Sequence, residues 1–358
     1  MKLPRSFCWR PFVELHINQH NRYAPCCKFI SKNMYGSNTE SDDIHRKVRD
    51  AILEDRWHPG CRSCKDIEDS GFSKSHRQDY RGPKDKNLVT ENRFSLRHLE
   101  IIVDNVCNLA CTTCSPFHSS RWESENKKMG DTTKYPSILK LQDRFLYEPW
   151  IWQDVEHLVL YGGEPMYSKN VLDLLRWATS NGFSENIELM FYTNGTQFNE
   201  NIIQLLKSFK SVKIRFSIDA TGDRYELLRW PASWTTTVDN FQRMSEMPNV
   251  ETGVTYTLSI LNIMHALEDM TDISSVLGTG RIGINLLTDP HFFSIRHLPQ
   301  DIKDVLIAKM RSHHSLDAII PELQIEGSPE ELEKAKERLR SLDQHRKTDR
   351  RILGDIFD

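Results

Sequence analysis

Three cysteines within eight residues form the clearest chemical signal in this sequence. Cys107, Cys111 and Cys114 lie in the run CNLACTTC, at spacings of four and three. A structural zinc site is closed by four ligands, commonly as two CxxC pairs, and no fourth cysteine follows this run. A cubane iron–sulfur cluster normally takes four thiolates. With three thiolates, one iron keeps an open coordination position, so the spacing indicates a cluster that can bind a small molecule.

A second run that can bind a ligand is GGEP, formed by Gly162, Gly163, Glu164 and Pro165. Two glycines let a ligand approach the backbone closely, and Glu164 adds an anion that can hold an ammonium group. Taken alone, the run fits a strand–turn–helix with proline at the helix start. Because it follows the strand next to the one that precedes the cysteines, we favour ligand binding.

The remaining cysteines form a separate group near the N-terminus: Cys8, Cys26, Cys27, Cys61 and Cys64. The first ten residues lack the apolar run of a signal peptide, and no stretch approaches the ~20 apolar residues of a membrane span. We therefore predict a cytoplasmic protein, in which clustered cysteines indicate metal or catalysis more than disulfides. Buried structural thiols are the alternative.

The elements that must position these residues alternate between short apolar runs and longer amphipathic stretches. Helical patterns, for example 171–178 and 201–209, lie between the apolar runs. Such alternation indicates a parallel sheet. We predict an α/β fold, a partial (β/α)6 TIM-like barrel open on one side, with strands at 99–104, 157–161, 187–192, 212–218, 253–259 and 281–287.

Three domains are predicted from changes in composition and hydrophobic pattern along the chain. Residues 1–95 are irregular and rich in cysteine, residues 96–290 form the partial barrel, and residues 291–358 form a helical C-terminal extension. The insertion 125–150 and the run 291–296 are candidates for the substrate entrance.

Charge argues against two classes of partner. The net charge is −3, which gives no global attraction to nucleic acid or to a membrane surface. We therefore expect no membrane partner and no nucleic-acid partner. The basic cluster Arg346, Lys347, Arg350 and Arg351 belongs to a solvated face or contacts an anionic substrate.

Together, CNLACTTC (107–114) and GGEP (162–165) resemble the radical S-adenosylmethionine (SAM) superfamily. Two further runs are similar to strand-end segments of that family, FYTNGT (191–196) and FSIDATGDRYELLR (216–229). The resemblance covers residues 96–290. It implies that Cys107, Cys111 and Cys114 hold a 4Fe–4S cluster and that SAM binds the open iron.

The same resemblance implies an enzyme that receives an electron from a donor such as flavodoxin or ferredoxin. SAM is then cleaved to a 5′-deoxyadenosyl radical, which abstracts hydrogen from a substrate. The SAM-binding residues carried over from the family are Gly162, Gly163 and Glu164 for the amino group, Ser217 for the ribose or carboxylate, Arg229 for the carboxylate, and Asn194 and Asp219 near the ribose. A guanidinium is a strong partner for a carboxylate.

The N-terminal cysteines resemble the twitch/SPASM module, which binds auxiliary iron–sulfur clusters in radical SAM enzymes. In most relatives this module follows the barrel, whereas here it precedes it. The resemblance implies one auxiliary 4Fe–4S cluster for electron transfer, held by Cys8, Cys26, Cys61 and Cys64. Cys27 is the alternative to Cys26, which follows a proline as in the family. A structural zinc is the alternative metal.

The sequence does not name the substrate, which is a peptide or a small metabolite, and it leaves oxidoreductase, transferase and isomerase chemistry open. Methylation or sulfur insertion is a further option. For sulfur insertion, the spare cysteine of the pair Cys26 and Cys27 could be the sulfur source. The competing hypothesis is a non-enzymatic, zinc-binding module that contacts nucleic acid or a partner protein. It does not account for GGEP, Ser217 and Arg229 at or just after successive strand ends.

Overall fold

The structure is a computed structural model that describes most of the chain. The described residues are 3–18, 22–29, 38–70, 75–131, 133, 147–312 and 316–357. Most of the predicted insertion 125–150 lies outside them, apart from its two ends.

The described residues contain one eight-stranded sheet, in the order β2-β1-β3-β4-β5-β6-β7-β8. Strands β3 to β8 lie in chain order, and the pairs β3–β4, β4–β5 and β7–β8 are parallel. The sheet does not close into a barrel. The strands are β1 (Glu14–Ile17), β2 (Tyr23–Ala24), β3 (His98–Ile102), β4 (His157–Tyr161), β5 (Glu188–Thr193), β6 (Ser211–Ser217), β7 (Val250–Leu258) and β8 (Ile282–Leu286).

The predicted α/β class and the open parallel sheet are confirmed, and β3 to β8 are the six strands expected from the sequence. The expectation that the first 95 residues are irregular is wrong in one respect. Strand β1 pairs in parallel with β3, with Glu14 opposite His98, and β2 pairs antiparallel with β1. A four-residue strand that buries Glu14 and His16 lacks the apolar signal by which strands are found.

Fourteen helices occur in the described part of the chain. Each of β4, β5 and β7 is followed by a helix before the next strand, as parallel pairing requires. The helices are α1 (Arg10–Val13), α2 (Asn38–Leu53), α3 (Arg62–Ser70), α4 (Lys86–Thr90), α5 (Ser120–Lys128), α6 (Pro149–Trp152), α7 (Lys169–Ser180), α8 (Glu200–Leu206), α9 (Gly222–Leu228), α10 (Trp234–Ser245), α11 (Ala266–Leu277), α12 (Gln300–Arg311), α13 (Ile320–Leu323) and α14 (Pro329–Arg346).

The chain divides into two compact units, which are described separately. Unit 1 comprises Met1–Asn105, Ser137–Phe191 and Asn199–Lys213, and unit 2 comprises Val106–Pro136, Tyr192–Phe198 and Ile214–Asp358. The three-domain division at 95 and 290 remains a prediction.

Each unit has an apolar cluster on which cysteines pack. In unit 1, Cys8, Cys26 and Cys61 lie against a cluster that includes Phe12 and Val48. In unit 2, Cys114 lies against Ala110, Trp122 and Leu342. Among the described helices, none has the length and the apolar character needed to cross a membrane.

Candidate metal centre

The three-cysteine loop, residues 107–114, is held in unit 2 by the end of helix α9. The Ala110 N–H donates to the Trp230 carbonyl at 2.7 Å, and the Thr112 N–H donates to the Leu228 carbonyl at 2.7 Å. The last carbonyls of a helix have no intrahelical partner, so α9 offers acceptors to the loop. The backbone between Cys107 and Cys114 is thereby ordered by the protein itself.

Two side chains from other helices hold the same loop. Trp122 of α5 is fully buried and donates its indole N–H to the Cys111 carbonyl at 2.9 Å. Arg346, the last residue of α14, donates to the Ala110 carbonyl at 2.7 Å and stacks on the Trp122 ring at 4.9 Å. Its charge is opposed by buried Glu125, whose carboxylate lies 3.7 Å from the guanidinium.

Two of the three sulfurs receive hydrogen bonds from residues predicted to bind SAM. Asn194 Nδ2 lies 3.9 Å from Cys107 Sγ, and Arg229 Nη1 lies 4.0 Å from Cys111 Sγ. Asn194 also donates to Asn108 Oδ1 at 2.9 Å. Donors aimed at cluster sulfurs shift the reduction potential of a cluster, so these contacts suit thiolate ligands.

Burial governs the protonation of these thiols when no metal is bound. It raises the pKa of Cys114 to about 12. It also raises the pKa of Cys111, against the lowering effect of the Arg229 charge. Both thiols are therefore protonated at neutral pH, and a bound metal must displace these protons.

Arg229, Asp219 and Ser217 come from the end of β6 and from α9. Ser217 is the last residue of β6, and Arg229 caps the C-terminal end of α9. Arg229 Nη2 lies 2.5 Å from Asp219 Oδ2 in a buried ion pair, while Asp219 Oδ1 accepts the Thr257 N–H at 2.8 Å. The sequence placed both residues near SAM without predicting that they pair with each other.

The GGEP run lies in unit 1 and turns directly after β4. Gly162 has a φ of +148°, and a Cβ there would lie 2.7 Å from the Asp104 carbonyl oxygen. The Gly163 N–H donates to that same oxygen at 2.9 Å. Glu164 is buried and accepts the Met166 N–H at 2.9 Å. Gly162 is therefore required by close backbone packing against Asp104, two residues after the end of β3.

Four of the N-terminal cysteines line one cavity in unit 1, namely Cys8, Cys26, Cys61 and Cys64. Cys27 is not among the residues that line it, and its sulfur lies 3.5 Å from His76 Nε2. Burial raises the pKa of Cys8 and that of Cys61 to about 12. The arrangement suits four thiolate ligands around one metal group.

The donor sets fit the groups that the sequence implies. Three thiols on one ordered loop, with polar donors to two sulfurs, can hold a 4Fe–4S cluster with one open iron. Four thiols around one cavity can hold either a fully ligated cluster or a tetrahedral zinc ion. Cys107, Cys111 and Cys114 would be the ligands of the first group.

The sequence interpretation missed the residues that support the cysteine loop. Trp122 gives no local signal, and the basic cluster at the end of α14 is predicted to belong to a solvated face or to contact an anionic substrate. The one available hint was the basic cluster that includes Arg346. Of that cluster, Arg346 is buried, whereas Arg350 pairs with Asp343 and Arg351 pairs with Asp349.

Comparison of the sequence with known proteins identifies a family and several relatives. Residues 101–272 match the sequence model of the radical SAM superfamily. The chain is 24% identical over 195 residues to an uncharacterized protein of Methanocaldococcus jannaschii, covering 54% of this chain and 63% of that one. It is 26% identical over 151 residues to the GTP 3′,8-cyclase of Corynebacterium glutamicum, covering 41% of this chain and 38% of that enzyme.

Comparison with solved structures gives anSMEcpe with bound AdoMet, with a TM-score of 0.45 and 13% identity over 60% of this chain and 58% of that chain. SuiB of Streptococcus suis bound to its precursor peptide SuiA gives a TM-score of 0.40 and 10% identity, over 85% and 70% of the two chains.

The chain therefore contains a radical SAM domain. Members of this superfamily, the GTP 3′,8-cyclase among them, are enzymes. The family implies a 4Fe–4S cluster and SAM. The chain covers less than two thirds of either curated relative, so its own reaction and substrate are matters for proposal.

Proposed function

We propose that this protein uses a 4Fe–4S cluster on Cys107, Cys111 and Cys114 to cleave SAM reductively. When bound, the cluster and SAM supply a one-electron cleavage of the sulfonium bond that gives a 5′-deoxyadenosyl radical, which abstracts hydrogen from the substrate. The single observation that carries the proposal is the ordered three-cysteine loop with Asn194 and Arg229 donating toward two of its sulfurs.

The chain's own part in this function is to hold and orient. Arg229 offers a permanent positive charge to the SAM carboxylate, and Asp219 holds that guanidinium in place. Asn194 and Ser217 offer polar contacts to the ribose. Gly162, Gly163 and Glu164 are proposed to bind the amino group of SAM, with Glu164 supplying the negative charge.

We further propose one auxiliary 4Fe–4S cluster in the N-terminal cysteine group, which passes electrons to or from the substrate. The cavity lined by Cys8, Cys26, Cys61 and Cys64 supports this assignment, and the position of Cys27 beside His76 favours Cys26 as the ligand. The external electron donor is a one-electron carrier such as flavodoxin or ferredoxin. The substrate is a peptide or a small metabolite.

The test is anaerobic quantitation of iron and sulfide, with EPR spectra after reduction, with and without SAM. The wild type is compared with a triple variant, Cys107→Ala, Cys111→Ala and Cys114→Ala. The proposal expects about eight irons per chain, about four in the variant, and a SAM-sensitive signal only in the wild type.

Other outcomes contradict defined parts of the proposal. Zinc in the triple variant, with no iron, replaces the auxiliary cluster by a structural zinc site. A wild type that lacks a SAM-sensitive signal contradicts the radical function. Full cluster content with no 5′-deoxyadenosine formed from SAM under reducing conditions contradicts reductive cleavage.

A further inference from the structure

Two short motifs on adjacent strands of unit 1 place histidines and carboxylates side by side. Strand β1 carries Glu14 and His16, and strand β3 carries His98 and Glu100. The parallel register sets Glu14 opposite His98 and His16 opposite Glu100. Residues two apart on a strand share a face, so the four side chains form an alternating square of carboxylate and imidazole.

The distances within this square suit metal ligands. Ligand atoms of Glu14, His98 and Glu100 all lie within 4.8 Å of one another. His98 Nε2 is 3.6 Å from Glu100 Oε1, and His16 Nδ1 is 3.4 Å from the other oxygen, Oε2. Ligands about 2.0–2.1 Å from a tetrahedral ion lie roughly 3.3–3.4 Å apart, so a small movement would bring these atoms to an ion.

Several of these buried atoms lack hydrogen bonds to any described residue. They include Glu14 Oε1, Glu100 Oε2 and both ring nitrogens of His98. The side chain of Glu14 is fully buried, and Glu100 is 3% exposed. Buried polar atoms are normally satisfied, so these four atoms indicate a bound partner in addition to the described residues.

The charge of the group favours a cation. Arg10 pairs with Glu14 through Oε2, while Oε1 has no hydrogen bond to a described residue. Two carboxylates, Glu14 and Glu100, lie in this buried place with one guanidinium, that of Arg10. Burial of an unpaired charge is costly, and a bound dication would remove the deficit of positive charge around the carboxylates.

We propose that Glu14, His98 and Glu100 bind one divalent ion of the Mn²⁺, Fe²⁺ or Zn²⁺ class, with His16 orienting Glu100. Imidazole together with carboxylates is the donor set these ions share. His16 faces the second oxygen of Glu100, as partners outside the ligand set commonly do in metal sites. Ligand atoms of Glu100, Cys27 and His76 also lie within 4.8 Å of one another, so the site adjoins the N-terminal cysteine group. It does not depend on the proposed radical function.

Mn²⁺ titration of the full-length, anaerobically reconstituted chain tests the proposal, with free Mn²⁺ followed by EPR. Mn²⁺ is chosen because it prefers carboxylate ligands and thiolates do not select it. We expect about one Mn²⁺ per chain in the wild type and at least about tenfold weaker binding in Glu100→Gln and His98→Gln. His16→Gln, a milder change, is expected to weaken binding about tenfold.

The matched control is Glu188→Gln. Glu188 also faces a histidine across adjacent strands of unit 1, at 3.5 Å from His157. Among the described residues, however, Glu188 belongs to no group of three side chains that could hold a metal. This variant must retain Mn²⁺ binding. Circular dichroism and iron content verify that each variant is folded.

A wild type that binds no Mn²⁺ overturns the proposal and leaves the four side chains as proton-sharing ion pairs. Unchanged binding in a folded Glu100→Gln variant overturns it as well. The triple cysteine variant separates the two proposals, because loss of its cluster must leave the Mn²⁺ stoichiometry unchanged.

Discussion

Arg346 shows how one side chain can determine the shape of a ligand loop. The residue is 7% exposed, and its guanidinium donates to the carbonyl of Ala110, lies over Trp122 and faces Glu125. Burial lowers the pKa of Arg346 to about 10, and Glu125 opposes that effect, so the group stays charged at neutral pH. The cysteine loop therefore depends on a cation that never touches a sulfur.

Replacing Arg346 with methionine should destabilise unit 2 by about 3 kcal/mol, because Glu125 loses a buried partner and Ala110 loses a charge-assisted hydrogen bond. Chemical unfolding measures the stability, and iron analysis should show less iron on the three-cysteine loop.

Arg351→Met is the control for Arg346, because Arg351 is exposed and pairs with Asp349. It should change the stability by no more than about 0.5 kcal/mol. Equal losses in the two variants would contradict the role assigned to Arg346.

The Arg229–Asp219 pair is the second residue-scale test. Asp219→Asn leaves a buried guanidinium without its anion, which should cost about 3 kcal/mol. If Arg229 binds the SAM carboxylate, added SAM should restore part of the thermal stability, since a ligand that binds the folded state stabilises it. If SAM raises the melting temperature equally in the wild type and in Arg229→Met, Arg229 does not bind the SAM carboxylate.

At the scale of elements, α9 has two functions at once. Its C-terminal carbonyls, at Leu227 and Leu228, accept from the side chain and the backbone of Thr112. Its capping residue is Arg229. One helix end therefore positions both the cysteine loop and the proposed SAM-binding cation, and a shift of α9 would disturb both together.

The turn after β4 allows a matched pair of glycine substitutions in unit 1. Gly162 and Gly182 both have positive φ, but only at Gly162 would a Cβ meet backbone, 2.7 Å from the Asp104 oxygen. Gly182→Ala should cost only the backbone strain, about 1–2 kcal/mol. Gly162→Ala should cost more and should also weaken SAM binding, as measured by equilibrium dialysis. Equal effects on SAM binding would contradict a role for this turn.

At the scale of the whole molecule, cysteines are distributed over both compact units. Five belong to unit 1 and three to unit 2. Metal binding to thiols contributes to folding free energy because the unfolded chain lacks a formed site. Each unit should therefore lose stability when its own metal group is removed.

Calorimetry under anaerobic conditions checks this expectation. Cys61→Ser with Cys64→Ser should lower the melting temperature of the loaded protein, and the triple variant at Cys107, Cys111 and Cys114 should do the same. Chelation of iron should lower the wild-type value toward that of a variant lacking both groups. No change on chelation would contradict structural coupling of the clusters.

Much of the fold was predictable from local sequence, and the proposed ligand set also rests on local sequence. The six strands β3 to β8 carry regular apolar patterns, and the spacing of Cys107, Cys111 and Cys114 follows from the needs of one metal group. Both signals lie within a few residues of chain. The tertiary structure alone revealed β1, whose buried Glu14 and His16 hide the strand pattern, and the pairing of Arg229 with Asp219.

The contact of Arg346 with Ala110 joins residues 236 apart in the chain. No spacing or periodicity encodes such a contact, because it depends on how α14 packs against Trp122. The sequence by itself thus determined which cysteine sulfurs are available as the proposed metal ligands. Only the folded chain determined which carbonyls, cations and buried carboxylates hold those atoms in place, since these depend on burial and long-range packing.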